Sequence, residues 1–300
     1  MTIAAMLLFL VIGVYLLAVL EAWTHSGYFR PGVPLFSAIA LIGRESIVPR
    51  QSDRIFFELG PILLLIAAVL GVAVLPLAQQ LLIVNLATGA LFVNAALAYV
   101  PVAVLMAGWG PNGAYAMIGG WRFLGQLIAY SMLIVMPISA VAMRAASLTT
   151  TTVVASQSHM WNIIYQPLGF VLFFIAAMAL AFLPPFDLPI ANGELAGGVE
   201  AEYTGVRLAV FRLGRMVLVL TLALATTVFY LGGWNGPLLP PWTWSVTKTL
   251  VVAATMLVAG RYMPRIRELQ LLAWFWKLGI PLALLNIFVV GVFVLVQPKW

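Results

Sequence analysis

TIAAMLLFLVIGVYLLAVL, residues 2–20, contains no charged side chain, and the acid Glu21 follows it directly. As a helix rising 1.5 Å per residue it reaches about 28 Å, close to the ~30 Å hydrocarbon thickness of a bilayer. It is too long for a signal-peptide core, lacks a basic stretch ahead of it and has no Ala-x-Ala-like site after it, so it reads as a first transmembrane helix. The rest of the chain repeats the pattern. With 64% hydrophobic and only 8% charged residues, water could not hold it as a soluble fold. A transmembrane β-barrel would need short segments of alternating polarity, and the apolar runs here are continuous.

Runs and breaks predict helices near 2–22, 59–77, 81–107, 117–143, 160–183, 207–231, 244–263 and 271–296, giving an all-α polytopic membrane protein of about eight spans. Residues 1–300 form a single integral membrane domain, and no internal repeat of the kind found in many transporters is present. Eight spans put both termini on one side. With the termini outside, twelve cations fall inside (Arg30, Arg44, Arg50, Arg54, Arg122, Arg207, Arg212, Arg215, Arg261, Arg265, Arg267, Lys277) and three outside (Arg144, Lys248, Lys299), as the positive-inside rule demands. All nine acids, Glu21, Glu45, Asp53, Glu58, Asp187, Glu194, Glu200, Glu202 and Glu268, also fall inside. That rule does not require this, so the inner face is where chemistry or a protein partner is expected.

The formal charge of +6 does not point to nucleic acid, because the basic residues sit at helix ends rather than in a patch interleaved with aromatics. The absence of cysteine excludes disulfides, iron–sulfur ligation and thiolate metal sites within the chain. His25 and His159 are too few and too far apart to suggest a metal site. Two inner loops are longer than a connection needs. The first, 24–58, carries a stretch near 34–43 that suits a short amphipathic helix on the membrane surface; the second, 184–206, is rich in Pro, Gly and acids.

Four motifs stand on the inner side, the first three with two readings each. PPFDLP at 184–189 is either a rigid helix exit with Asp187 as a solvated cap or a held carboxylate beside Phe186. ELAGGVEAEYTGVR at 194–207 crowds Glu194, Glu200 and Glu202 beside Tyr203 and Arg207; such carboxylates raise one another's pKa values, or form a hydrated face. RYMPRIRELQ at 261–270 either holds topology against anionic headgroups or offers Arg265 and Arg267 to a partner. FRPG at 29–32 places Arg30 and Gly32 soon after the first span.

In their order these elements resemble the H-subunit family of NADH-quinone oxidoreductase, also called NADH dehydrogenase subunit 1, with relatives in membrane-bound hydrogenases and formate hydrogenlyase. The resemblance runs through RPG, DRIFFELGPIL, GGWRFLGQLIAYS, PLGFVLFFIAAMA, PPFDLPIANGELAGGVEAEYTGVRLAVF, LGGW and PRIRELQLLAWFWKLGIPLALLN; LIGRESIVP is similar to the hydrogenase relatives. It implies an eight-helix bundle whose first and sixth spans, surface helix and inner loops enclose a lipid-open quinone chamber. It also implies no redox centre, metal or flavin in the chain, and a place in the cell's inner (plasma) membrane. The implied partners are iron–sulfur-cluster subunits on the inner side, antiporter-like and small membrane subunits, quinone and the bilayer. Carried over by position, Arg30, Gly32, Phe186, Asp187, Tyr203 and Arg207 shape the chamber, Glu194 and Glu202 couple protons, and Arg265 and Arg267 dock the arm; no residue is catalytic. Where the family carries glutamates, this chain has Ser131, Leu180, Ile190, Asn192 and Arg215. Two alternatives stay open: an anchor for an energy-converting hydrogenase or formate hydrogenlyase-like complex, and a stand-alone membrane transporter.

Overall fold

The computed structural model describes residues 2–237 and 240–296. Lys299, the last of the expected outer cations, lies outside the described residues, as do the side chains of His25 and Asn192. The helices are α1 (Thr2–Ser26), α2 (Gly32–Ile42), α3 (Arg54–Ala73), α4 (Gly89–Trp109), α5 (Ala114–Ala145), α6 (Thr150–Ala155), α7 (Asn162–Tyr165), α8 (Pro167–Leu180), α9 (Asn192–Leu195), α10 (Gly205–Tyr230), α11 (Pro241–Tyr262), α12 (Glu268–Trp274) and α13 (Ile280–Val296). Among the described residues seven stretches are long and apolar enough to span a bilayer: α1, α3, α4, α5, α10, α11 and the run from α12 through α13.

The expected helix at 160–183 forms as two pieces. Gln166 breaks it, and Pro167, whose missing N–H costs nothing in a first turn, opens α8. With 14 residues α8 reaches only about 21 Å, yet it links the two ends of the molecule. Before it, Asn162 Nδ2 donates to the Phe229 carbonyl at 2.7 Å; after it, Ala181, Phe182 and Leu183 are buried inside protein. Hydropathy sees one run here, because backbone polar groups that lipid would not tolerate are sheltered by neighbouring helices.

Other boundaries move for local reasons. α3 begins at Arg54, ahead of the expected 59, because the Asp53 carboxylate caps it by accepting from Ile55 N at 3.1 Å. It stops at Ala73, before Pro76. The segment after it is apolar but not helical: Leu77 N donates to Leu81 O at 3.1 Å and Val84 N to Ala73 O at 3.2 Å, folding Leu75 and Leu77 into the core. α4 therefore starts at Gly89 rather than near 81. Between α12 and α13 the helix widens into a π-turn over Phe275–Gly279; Pro281 just beyond has no N–H for the Lys277 carbonyl, and the wider turn absorbs that defect. The surface helix forms as α2. It carries no buried residue, and Leu35, Phe36, Ile39 and Ile42 stand exposed.

Cross-links sort the loops onto two ends. At the polar end Asp187 pairs with Arg265, Arg207 with Glu58, and Arg122 with both Glu194 and Glu268, so 184–206 and 261–270 share one face. At the opposite end Arg144 donates to Asn162 Oδ1 and to the Met160 carbonyl. There Lys248 Nζ donates to the carbonyls of Leu231, Gly233 and Asn235 at 2.7, 3.1 and 2.8 Å and sits 4.2 Å from the Trp161 ring centroid. The cysteine-free chain makes this checkable. In sealed vesicles stripped of peripheral proteins, an impermeant maleimide should modify Arg50→Cys and Ala201→Cys from one side and Ser158→Cys only from the other; labelling of all three from one side would refute the arrangement.

Candidate functional site

Two cavities adjoin at the polar end. The outer one, about 480 Å3, lies between α1, α2 and α10, lined by Val14, Ala18, Val33, Pro34, Leu41, Leu213 and Met216 with Arg44, Arg212 and Glu21 at its charged side. The inner one, about 340 Å3, is lined by Phe182, Leu183, Pro184, Asp187 and Ile190 with Leu257, Arg215, Arg261, Arg265 and again Glu21. Glu21 thus belongs to both walls. A third cavity of about 350 Å3 lies between Ser46, Glu58 and Arg207. An amphiphile suits the first two: an apolar body among the helix side chains and a polar head among the charges beyond Glu21.

The loop 181–204 is held rigidly enough to present these charges. Val199 N donates to Pro189 O at 3.1 Å, and Gly198 at φ +52° lies so close to that carbonyl that a Cβ has no room. Gly205, at φ +59°, ends the loop against Arg44, whose carbonyl oxygen would stand 2.7 Å from a Cβ there. Asp187 is largely buried and pairs with Arg265 at 2.6 Å. Burial pushes its carboxyl pKa above the ordinary value, opposed by the Arg265 charge.

The sequence-derived residues separate into groups. Arg30 is exposed, 5.9 Å from the Tyr28 ring, and Gly32 opens α2; both stand near the outer cavity without lining it. Phe186 is buried with its ring 6.2 Å from Phe275. Tyr203 is a core pin: its hydroxyl donates to the Phe57 or Ala107 carbonyl at 3.1 and 3.2 Å, its ring stacks 4.5 Å from Phe57, and burial raises its pKa. Arg207 pairs with Glu58 at 3.0 Å and donates to Ser46 Oγ. Glu194 meets Arg122 at 2.8 Å, Glu202 backs onto Gly113, and Arg267 is exposed with no ion pair among the described residues.

Two residues at the centre do not stand out as site residues from sequence. Glu21 pairs with Arg215 at 2.6 Å, and Arg122 holds Glu194 and, at 3.5 Å, Glu268. The signal that marks them is an ionisable residue inside or at the edge of an apolar run. Among the described residues no group of three or more His, Cys, Asp or Glu could hold a metal.

The raised pKa of Asp187 has a definite sign. A carboxyl whose folded pKa exceeds its unfolded one disfavours the fold once pH passes its ordinary value, and protonation at lower pH relieves the cost. Asp187→Asn is therefore expected to leave the thermal midpoint of the assembled protein at pH 7 unchanged or higher. Arg265→Ala, which strands the carboxylate, should lower the midpoint, and the gap between the two should narrow at pH 5. Thermal unfolding in detergent checks the order; a lower midpoint for Asp187→Asn than for Arg265→Ala would contradict it.

The chain is similar to known proteins over most of its length. A family model described as NADH dehydrogenase matches residues 3–291. The NADH-quinone oxidoreductase H-subunit 1 of Geobacter metallireducens is 38% identical over 267 residues, 86% of this chain and 81% of the relative. The H-subunit 2 of Geobacter sulfurreducens is 37% identical over the same shares. A family match that runs from α1 into α13, together with relatives 37–38% identical over 86% of the chain, places this chain in the H-subunit family of NADH-quinone oxidoreductase.

Proposed function

We propose that residues 1–300 form, as one membrane domain, the quinone chamber and the arm-anchoring platform of a proton-translocating NADH-quinone oxidoreductase of the complex I type, with no redox centre in the chain itself. The observation that carries this reading is the pair of cavities meeting at Glu21: one apolar between α1, α2 and α10, the other charged around Asp187 and Arg215. A quinone is an apolar tail on a head with two carbonyl oxygens. Its tail fits among Val14, Ala18, Leu213 and Met216, and its oxygens need the donors that line the inner cavity. Electrons arrive from an iron–sulfur cluster in a neighbouring hydrophilic protein of the complex. Protons reach the reduced oxygens from water by way of loop carboxylates, a role this reading gives to the exposed Glu194 and the half-buried Glu202.

In this reading the polar end faces the inside of the plasma membrane and both termini face out. Arg265 stays 49% exposed while paired with Asp187, so the arm meets it and Arg267 together with the exposed Arg50 and Arg54. Antiporter-like and small membrane subunits complete the membrane part.

Two measurements test the reading. A photoreactive azidoquinone should label peptides of α1 and α10 in the assembled complex, with excess native quinone suppressing it; unsuppressed labelling spread over all spans would count against a chamber. Separately, Arg267→Glu combined with Arg50→Glu should release the hydrophilic arm on a native gel while the membrane part stays assembled. An intact complex would remove these residues from the platform.

A further inference from the structure

The outer and inner cavities share one lining residue, Glu21, and that residue is paired with Arg215. Glu21 on α1 and Arg215 on α10 meet at 2.6 Å, their side chains 22% and 17% exposed. Glu21 lines both cavities, whereas Arg215 lines the inner one. Two turns deeper on the same seam Gly13 lies against Leu220, so close that a Cβ at 13 would stand 2.8 Å from its side chain. The two helices are shut there. The direct way from the outer cavity to the inner one therefore runs at the level of Glu21 and Arg215, above that contact.

Arg215 also has hydrogen-bonding capacity to spare. A guanidinium has five N–H donors, and its Nη2 serves Glu21, but its Nε is buried without an acceptor among the described residues. A buried donor left empty is costly, and an acceptor arriving beside it is favoured. The charges around the inner cavity point the same way: Arg215, Arg261 and Arg265 against Glu21 and Asp187 leave an excess of one positive charge. Arg261 is itself tied to the Thr24 carbonyl and Arg265 to Asp187; of the three, Arg215 is the one with a buried N–H that lacks an acceptor among the described residues.

We infer that the Glu21–Arg215 pair is a gate between the two cavities, and that Arg215 is a positioning residue whose N–H groups take a carbonyl oxygen of the quinone head as it enters. This rests on the quinone reading of the chamber. Glu21 and the incoming oxygen compete for one guanidinium: the carboxylate holds it while the inner cavity is empty, and the head takes it over in passing. The opposite requirement would hold if the pair served only to fasten α1 to α10, since removing either half would then do the same damage.

The test uses the assembled complex in membranes, with quinone reductase activity read against NADH oxidation by ferricyanide, a water-soluble acceptor. Arg215→Gln should raise the KM for quinone about tenfold, the loss of one charge-assisted hydrogen bond, with the ferricyanide rate unchanged. Glu21→Gln should shift the KM the other way, severalfold lower, because it frees Arg215. Arg215→Gln leaves Glu21 without its partner, so the double variant Glu21→Gln, Arg215→Gln guards against misfolding; it should assemble and keep the raised KM. Equal losses of activity in both single variants with unchanged KM would make the pair a structural pin and overturn the gate. Azidoquinone labelling of the wild type separates the failures: labelling of α1 and α10 with unaltered KM in every variant sinks the gate alone, and no labelling sinks the chamber with it.

Discussion

From Val217 to Tyr230 every residue of α10 is buried, so this helix has no lipid-facing side and the other spans must close around it. Its threonine hydroxyls are satisfied from within, since neither lipid nor water reaches them: Thr226 bonds to the Leu222 carbonyl at 2.8 Å, Thr227 to Ala223 at 2.9 Å, and Thr221 to Val217 at 2.7 Å as well as to Ala68 of α3 at 3.0 Å. α1, α3, α8 and α11 all pack on it. Where α10 leaves the core toward the polar end, Arg207, Arg212 and Arg215 project over an arc of about 140° at 100° per residue. They reach three different partners: Glu58 on α3, Glu200 in the loop and Glu21 on α1. The post that organises the bundle therefore also aims the charges of the chamber.

Those ion pairs are not what holds the fold together. Several involve side chains well exposed to solvent, such as Arg212 at 57% and Glu194 at 59%, and pairs of that kind contribute about 0–1 kcal/mol each. Cohesion comes from the packed interior and from fixed contacts such as the Tyr203 hydroxyl against the Phe57 and Ala107 carbonyls. On this firm frame the exposed pairs can change partners at little cost and leave the helices in place.

Much of this is legible in the sequence. Continuous apolar runs and the crowding of charge into alternate breaks predict the spans and the single polar end. Hydropathy does not separate a span from apolar chain folded into the bundle, which is why 74–77, 81–88 and the Gln166 break read as helix. Among the site residues, Asp187 and Arg265 both stand out in the sequence, but for different duties; their 2.6 Å pairing is a tertiary fact that spacing does not encode. Tyr203 reads as part of an acidic surface loop because its neighbours are polar, yet the turn through Gly198 drives its ring between Phe57 and Phe211. Glu21 reads as the end of a span, and its meaning depends on a residue almost two hundred positions away.

The interior between the two ends differs from the polar end in kind. Gln126, Tyr130, Gln166, Tyr230 and Asn286 are buried, each with a side-chain N or O atom lacking a hydrogen-bond partner among the described residues, and none is a carboxylate. The acids are confined to the polar end, while Leu180 is buried at the end of α8 and Arg215 stands beside Glu21. A carboxylate takes and gives protons near neutral pH, whereas amides and a phenol do so only as passive members of a hydrogen-bonded chain. Under the proposed function, proton chemistry in this chain is thus local to the quinone head, and movement across the bilayer falls to partner subunits. What passes between them must then be a change of field or shape, and the exchange of Arg215 between Glu21 and the head alters both at the seam of α1 and α10.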